Sequence, residues 1–407
     1  MAQWIMLPAD LVQIIAEFLT EDIREYIRFR AVCKPWRAVT VDLRTMPSLP
    51  PQLPWLMLSS DEAFTNTRSF YRLSDRSILN FHLPELAGKR IVGSADGWLL
   101  SVGAPSTISL FNPLTRAQIQ LPPLRMIPQL LQSLVEEADA ENVDIEEAQE
   151  DQGEEAVRRY FMDSDHAKDL LISKAIIIHS DNMNDCVIVM MLSCLGKLVF
   201  ARPGDIEWTT PDQRFYCTDI LWHQGQLYAV GMGGAVGVCE LNPNFEITKI
   251  TDRIDSSCWC YLVEFGGDLL VVFRYPQLES DTYLRRQYTT TGFEVFKLDR
   301  SSEEARPVEL KSLGDHILFL GKNSSFALST KDFPGWKGNC IYFTASYFNI
   351  IYRFADDYII EYRQKGQDFG VFDLDDGKVK PFPWPCHADS SQFVWPPPMW
   401  FQPNPLD

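Results

Sequence analysis

Residues 7–43 read LPADLVQIIAEFLTEDIREYIRFRAVCKPWRAVTVDL, and this stretch carries the clearest helical signal in the chain. Apolar residues recur there at intervals of three and four, the spacing that places side chains along one face of an α-helix. They are Leu11, Ile14, Ile15, Phe18 and Leu19. Pro8 stands where a first-turn proline is tolerated, so we expect the first helix to begin there.

Two further short helices are expected before residue 44. Thr20, Glu21 and Asp22 supply a side-chain cap and acidic groups for a helix N-terminus, where they complement the helix dipole. Apolar spacing continues to Val39, and we expect Pro35 to kink or restart that run because proline has no N–H to donate. A unit of about 40 residues cannot enclose its own apolar surface without a disulfide, a bound metal or a partner. We therefore expect a partner protein to cover it or, as the alternative, the domain that follows.

The whole chain of 407 residues is long enough for two domains with a substantial core. It has no run of about 18 apolar residues, and its start lacks the basic region and cleavage site of a signal peptide. We therefore expect an intracellular protein of the cytoplasm, the nucleus or both, with no membrane partner. Nine cysteines are dispersed without a CxxC pair, which indicates neither a disulfide framework nor a zinc site.

The formal net charge of −18 is concentrated in one segment. Residues 136–169 hold 14 acidic and three basic residues, a local net charge of −11. Dense runs of like charge usually stay solvated, so we predict a flexible acidic insertion at about residues 129–165. Recruitment of a basic substrate or a tethering role is the alternative. A chain this acidic is unsuited to nucleic acid, whose phosphates require clustered lysine and arginine.

Beyond residues 45–54 the pattern changes from helical to β. That segment contains four prolines and is typical of a stiff linker. After it, a glycine turn followed by a hydrophobic strand occurs at residues 97–100, 225–230, 267–272 and 338–343. A strand that ends in a polar turn occurs at residues 108–113, 236–243, 293–299 and 370–376. We interpret each such pair as an inner strand and its neighbour.

Weak repeats of short antiparallel strands every 40 to 50 residues or so are typical of propeller blades. Gly225 and Gly267 lie 42 positions apart, about the length of one blade. We therefore predict a mainly β protein, in which a β-propeller of six or seven blades follows a small all-α N-terminal domain. Strands near residues 55–58 and 70–73 are expected to complete the last blade beside residues 379–382, so that no sheet edge stays exposed.

Sequence motifs for catalysis are lacking. The six histidines are dispersed, and none of HExxH, GxSxG and GxxxxGK[ST] occurs. Arg202 and Trp208 are attractive as ligand contacts, but we expect them to serve packing and turns. Asn323 begins an N-glycosylation sequon that we expect to stay unused. We therefore predict a protein that is not an enzyme, with no catalytic residue, no cofactor and no metal site.

Two motifs in the helical stretch match a known family. LPADL from residue 7 and VCKPWR from residue 32 closely resemble an F-box, which docks on the Skp-type adaptor of a cullin-RING ubiquitin ligase. The resemblance implies an F-box over residues 4–44, with Trp36 as the aromatic anchor of the interface. The residues that it places at or just beneath the adaptor are Leu7, Pro8, Leu11, Ile14, Ile15, Leu19, Val32, Cys33 and Trp36.

Residues 55–401 resemble the KIB-type, kelch-like β-propeller domain of a large plant F-box family. The sequence segments that carry this resemblance include ARPGD from residue 201, WTT from residue 208 and PPPMWF from residue 396. It implies a substrate-recognition subunit of a Skp-cullin-F-box E3 ubiquitin ligase, whose F-box docks the Skp adaptor and whose propeller binds a protein target for ubiquitination. The alternative is an adaptor-independent propeller that scaffolds or inhibits a partner protein such as a kinase.

Overall fold

A computed structural model describes residues 3–20, 22–42, 51–58, 66–103, 107–124, 127, 172–178, 185–192, 196–211, 215–240, 246–254, 259–282, 285–301, 305–321, 323–344, 368–383 and 398–404. The predicted acidic insertion at residues 129–165 and most of the predicted linker at residues 45–54 lie outside these ranges. The described residues form three N-terminal helices and six β-sheets, the blades of a propeller. The predicted fold class is confirmed, with six blades.

The helices are α1 (Ala9–Leu19), α2 (Ile23–Ala31) and α3 (Lys34–Val39). The Asp22 carboxylate caps α2, because it accepts the backbone N–H groups of Arg24 and Glu25. Pro35 lies in the first turn of α3, where its missing N–H breaks no helical hydrogen bond. It therefore restarts the helical run.

The strands follow in chain order. Blade one contains β1 (Trp55–Met57), β2 (Thr67–Arg72) and β3 (Ser77–His82). Blade two contains β4 (Arg90–Ala95), β5 (Trp98–Gly103), β6 (Thr107–Phe111) and β7 (Gln118–Leu121). Blade three contains β8 (Ile172–Ile178), β9 (Val187–Leu192) and β10 (Lys197–Ala201). Blade four contains β11 (Cys217–His223), β12 (Gln226–Gly231), β13 (Val236–Cys239) and β14 (Ile247–Lys249).

Blade five contains β15 (Trp259–Phe265), β16 (Asp268–Thr282), β17 (Arg285–Asp299) and β18 (Arg306–Glu309). Blade six contains β19 (His316–Leu320), β20 (Phe326–Ser329), β21 (Cys340–Phe343), β22 (Gly370–Asp373) and β23 (Lys378–Lys380). The final strand is β24 (Met399–Phe401). Strands β4, β8, β11 and β15 are innermost in their blades and lie against one another around the axis.

The ring is closed by β24, which pairs antiparallel with β1 and becomes the innermost strand of blade one. Met399 lies opposite Met57 and Phe401 opposite Trp55. The predicted closure beside residues 379–382 is therefore wrong in its partner. The strand near those residues, β23, is the exposed outer strand of blade six, whereas the aromatic side chains of β24 are fully buried. Burial of these aromatic side chains decides which strand goes inside.

The interpretation of each pair of segments as an inner strand and its neighbour is wrong. In blades two, four and five the glycine segment marks the second strand and the polar-turn segment the third, and in blade six they fall on the third and fourth strands. In blades two, four and five the glycine segment begins in a two-residue turn at the end of the innermost strand, where Gly97 and Gly225 have φ of 86° and 78°. In blade six it precedes β21, which pairs parallel with β19 and follows no such turn. Glycine recurs at these turns because residues with a Cβ avoid such φ values. No recurring glycine turn precedes the innermost strands, so the repeat that is visible in the sequence begins after the innermost strand of a blade and not at it.

Blade six has five strands, because the hairpin of β19 and β20 is added on its inner side. Strand β19 pairs antiparallel with β20 and parallel with β21. The turn of this hairpin reaches the innermost strands of blades one and two. Its Asn323 is fully buried and donates a 2.9 Å hydrogen bond to the carbonyl of Trp400 and another to the hydroxyl of Ser94. The Asn323 side chain is thus enclosed at the centre of the ring.

One buried ion pair connects the innermost strands of three successive blades. The Lys174 ammonium on β8 lies 2.5 Å from Oδ1 of Asp219 on β11, and the two side chains are 3% and 5% exposed. Oδ2 of Asp219 accepts the backbone N–H of Leu262 on β15 at 2.8 Å. Burial raises the pKa of Asp219, whereas Lys174 and the backbone donors act in the opposite direction. The pair therefore joins blades three, four and five near the axis.

The Lys174→Met variant should be less stable than the wild type by roughly 3–5 kcal/mol, because it leaves Asp219 buried without its counter-ion. Adding Asp219→Asn should recover part of that loss, since a neutral amide needs no counter-ion. Urea unfolding of the single and double variants measures both effects. Equal stabilities of Lys174→Met and the wild type would show that the ion pair contributes nothing.

A second ion cluster joins the outer strands of blade six. Asp373, at the end of β22, accepts hydrogen bonds from Lys337 at 2.6 Å and from Lys380 on β23. The hydrogen bond from Lys337, followed by that from Lys380, lowers the pKa of Asp373 to about 2. The folded pKa thus lies below the ordinary value of about 3.9. Ionisation of this carboxyl group consequently favours the folded state.

The stability that Asp373 contributes should be present above about pH 4 and lost as the pH falls towards 2, because protonation removes the charge that both lysines bind. The Asp373→Asn variant should therefore unfold at lower urea than the wild type at pH 6. The two urea midpoints should draw together below about pH 4 and converge only as the pH approaches 2. A midpoint difference that does not change between these pH values would contradict the depressed pKa.

Candidate functional site

Helix α1 has two apolar faces, and only one of them is buried. Val12 and Ala16 are buried, and Ala16 belongs to the small helical core that also contains Ile23 and Tyr26. The other face presents a continuous apolar row to solvent, here called the α1 stripe. Its members Leu11, Ile14, Ile15 and Phe18 are 48%, 48%, 39% and 77% exposed. A helix that is apolar on both faces normally has both covered, so the α1 stripe, which no described element covers, is a candidate contact surface.

The structure places the nine predicted adaptor residues in three groups. Leu11, Ile14 and Ile15 belong to the α1 stripe, and Pro8 and Val32 are also exposed. Four residues are half-buried: Leu7, Leu19, Cys33 and Trp36. Their contact with an adaptor stays a prediction.

Trp36, the predicted anchor, serves the helical unit itself. Its ring centroid lies 4.4 Å from that of Phe29, and its Nε1–H donates to the Trp4 carbonyl at 3.3 Å. Trp36 therefore ties the turn before α1 to α2 and α3. Part of its surface remains available to a partner, because the residue is only half-buried.

Three large exposed side chains were not among the predicted interface residues. Phe18 belongs to the α1 stripe, and Trp4 and Met6 in the preceding 3-10 turn are 65% and 82% exposed. The helical spacing of Phe18 was visible in the sequence, but spacing does not show which face is buried. Trp4 and Met6 precede the helix, so the period of α1 does not extend to them.

The helical unit is seated on blades one and two. Asp22, the cap of α2, forms an ion pair with Arg72 at the end of β2. The Arg24 guanidinium lies 4.9 Å from the centre of the Phe81 ring on β3, and Leu114 of the β6–β7 turn packs against the helical core. These contacts hold the helices against the propeller and leave the α1 stripe uncovered. The propeller therefore does not take the place of the expected partner.

Trp208 and Arg202 lie in different environments. Trp208 is fully buried and donates from Nε1 to the Pro122 carbonyl at 2.8 Å, whereas Arg202 lies in an exposed turn. Burial raises the pKa of Cys239 to about 12, so this thiol stays protonated at neutral pH.

The described ranges contain neither a metal-binding cluster nor a membrane-spanning helix. They contain no group of three or more His, Cys, Asp or Glu side chains placed to hold a metal ion. Among the described helices, none combines the length and the apolar character needed to span a membrane.

Comparison with known proteins agrees with this architecture. A family model described as the KIB1-4 β-propeller matches residues 70–373. Three Arabidopsis thaliana proteins are similar over most of their length. F-box protein SKIP23 is 27% identical, over 98% of this chain and 96% of its own. F-box protein At2g26160 is 25% identical over 84% of this chain and 95% of its own. F-box protein At2g17036 is 26% identical over 98% of this chain and 95% of its own. The chain therefore belongs to the family of plant F-box proteins that carry a KIB-type β-propeller.

Proposed function

We propose that this protein is the substrate-recognition subunit of a Skp-cullin-F-box ubiquitin ligase. In this proposal α1, α2 and α3 dock the Skp-type adaptor, and the propeller binds a protein target. The observation that carries the proposal is the α1 stripe, an exposed apolar row on a helix that already buries a separate face through Val12 and Ala16. The names of the relatives, all called F-box proteins, support the same assignment.

The chemistry of the α1 stripe suits a protein partner. Its four side chains are aliphatic or aromatic, and complete burial of each is worth roughly 1.5–3 kcal/mol. The polar residues of α1, which include Gln13 and Glu17, lie on a different arc of the helix and are exposed. A partner that covers the stripe can therefore leave these polar groups in water, as at the rim of an ordinary interface.

The proposed activity is positioning. A target held by the propeller has a raised effective concentration near the ubiquitin carrier of the ligase, so the chain accelerates transfer without making or breaking a bond. This role requires that the helices keep a fixed position relative to the propeller. The Asp22–Arg72 ion pair and the packing of Leu114 against the helical core hold the two together. Catalysis belongs to the other subunits in this proposal.

The triple variant Leu11→Ala, Ile14→Ala, Phe18→Ala should lose adaptor binding by at least about a hundredfold. Loss of three apolar contacts at roughly 1–3 kcal/mol each accounts for that change. The three side chains are partly or largely exposed in the isolated chain, so the melting temperature should change little. Calorimetry or co-purification with a Skp-type adaptor measures binding, and circular dichroism checks the fold.

The matched control is the double variant Gln13→Ala, Glu17→Ala on the polar arc of the same helix, which should bind as the wild type does. Equal weakening by both variants would mean that α1 does not bind through its stripe. A folded wild-type protein that does not bind the adaptor at all would reject the ligase proposal.

A further inference from the structure

The corner between α1 and α2 rests on blade one through a carboxylate that has two separate tasks. Asp22 lies at this corner, and its Oδ1 accepts the backbone N–H groups of Arg24 and Glu25, which caps α2. Its Oδ2 forms the ion pair with Arg72, the last residue of β2. The same side chain therefore serves the local fold of the helices and their attachment to the ring.

Arg72 is held in one orientation by its own hairpin. Asp75, in the turn between β2 and β3, accepts hydrogen bonds from Nε of Arg72 at 2.9 Å and from Nη2. Asp75 is itself fixed, because its Oδ1 accepts the backbone N–H of Ser77 at 3.1 Å and the Ser77 hydroxyl at 2.7 Å. A bidentate pair of this kind fixes the plane of the guanidinium. The remaining nitrogen, Nη1, is the one that donates to Asp22.

Two other contacts between the helices and the blades have little directional preference. Leu114 packs against the helical core, and hydrophobic contact depends on the area buried and not on direction. The Arg24 guanidinium lies 4.9 Å from the centre of the Phe81 ring, and attraction of this type persists within about 6 Å of the ring centre. These contacts hold the helical unit against the propeller but allow it to rotate.

Gln52 also binds the corner, but from the chain that connects the helices to the ring. Its Nε2 donates to the Thr20 carbonyl at 3.1 Å, and its Oε1 accepts the backbone N–H of Ile23 at 3.2 Å. Gln52 precedes β1 and belongs to no strand. It therefore shapes the connection, whereas Arg72 ties the corner to a strand of a blade.

The position of this corner gives Arg72 leverage over the α1 stripe. Helix α1 has 11 residues and is about 16 Å long, and it ends at the corner. Phe18 lies close to the corner, whereas Leu11 lies near the far end of the helix. A rotation of the helical unit about the corner moves Leu11 more than Phe18, and moves a protein bound to the stripe further still.

We infer that Arg72 is a positioning residue of the proposed ligase, which fixes the angle of α1, and hence of a bound adaptor, relative to the propeller. This inference rests on the proposed function for the existence of the adaptor. Arg72 acts through Asp22, so its loss should change the geometry of the complex and leave the affinity for the adaptor unchanged. Geometry decides which lysines come within reach of the ubiquitin carrier.

Two variants break the ion pair and spare the rest of the corner. Arg72→Gln removes the charge on the propeller. Asp22→Asn removes the charge on the helices but keeps an oxygen that caps α2, because asparagine and aspartate are equally good caps. Arg72→Lys keeps the charge but has no planar fork to bind Asp75 and Asp22 together. The matched control is Arg28→Gln, which removes the same charge from a side chain that is 57% exposed and pairs with Glu25 within α2.

The angle is measured as a distance in the full-length protein. Spin labels are placed at Gln13, on the exposed polar arc of α1, and at Asp252, which follows β14 of blade four and has a side chain that is 94% exposed. They are attached to ketone-bearing unnatural amino acids, because the chain has nine cysteines. Double electron–electron resonance then gives the distribution of distances between the labels.

The wild type and Arg28→Gln should give one narrow distribution. Arg72→Gln and Asp22→Asn should give distributions about twice as wide, because the contacts that remain are non-directional. Arg72→Lys should lie between these two results. Circular dichroism should show the same helix content in every variant, since the cap of α2 is kept.

Ubiquitin transfer supplies a readout that a merely structural role would not move. The full-length chain is combined with a Skp-type adaptor, cullin, RING subunit and charged ubiquitin carrier, and its own lysines serve as the target. Mass spectrometry identifies the lysines that are modified. The wild type and Arg28→Gln should share a small set, and Arg72→Gln and Asp22→Asn should modify a larger one, at unchanged adaptor affinity.

A distribution for Arg72→Gln that is as narrow as that of the wild type would overturn the inference. An unchanged set of modified lysines would overturn it as well, even if the distances broaden. Weaker adaptor binding by both variants would assign Arg72 to the fold of the helical unit and not to its angle. A wild type that does not bind the adaptor rejects the proposed function, whereas the distances in the free chain report on Arg72 independently.

Discussion

The pairing of β24 with β1 is the contact on which the ring depends. Three residues, Met399–Phe401, supply the whole innermost strand of blade one. Successive side chains of a strand point to opposite faces, so Met399 and Phe401 enter the core between blades one and two, whereas Trp400 enters the core between blades one and six. The Trp400 indole also donates to the Leu320 carbonyl at 2.9 Å. One short strand thus completes two interfaces between blades.

Buried polar contacts connect neighbouring blades of the ring. The Lys174–Asp219 pair connects blades three and four, and Arg274 connects blades five and six through Asp368. Each of these charges is buried beside a counter-ion, an arrangement whose loss is far more damaging than loss of a surface pair. The helical unit is attached to this ring through the Asp22–Arg72 ion pair and the packing of Leu114. Geometry of this kind is what a positioning subunit requires.

The sequence was most informative where a local rule decides the structure. The cap at Asp22, the restart at Pro35 and the glycine turns at Gly97 and Gly225 each follow from one residue and its backbone preference. These signals were enough to predict three helices and a propeller. They do not report which strands meet around a ring, so the partner of β1 was assigned to residues 379–382 although it is β24.

Local sequence rules also did not show which residues of the helical unit are exposed. Periodicity identified the apolar residues of α1, but only packing against Ile23 and Tyr26 separates the buried face from the exposed one. Trp36 was expected to be an anchor for a partner, and its stacking on Phe29 depends on how α2 and α3 cross.

Ring closure by β24 also sets the order of events during biosynthesis. Met399 leaves the ribosome 342 residues after Met57, the residue with which it pairs. At about 5–20 residues per second, the nascent chain waits roughly 20–70 s for that pairing. Throughout this interval the apolar faces of blade one lack their inner strand, while the compact helical unit needs only residues already made. Nascent chains of this protein are therefore expected to depend on chaperones more at blade one than at any blade closed by strands adjacent in sequence.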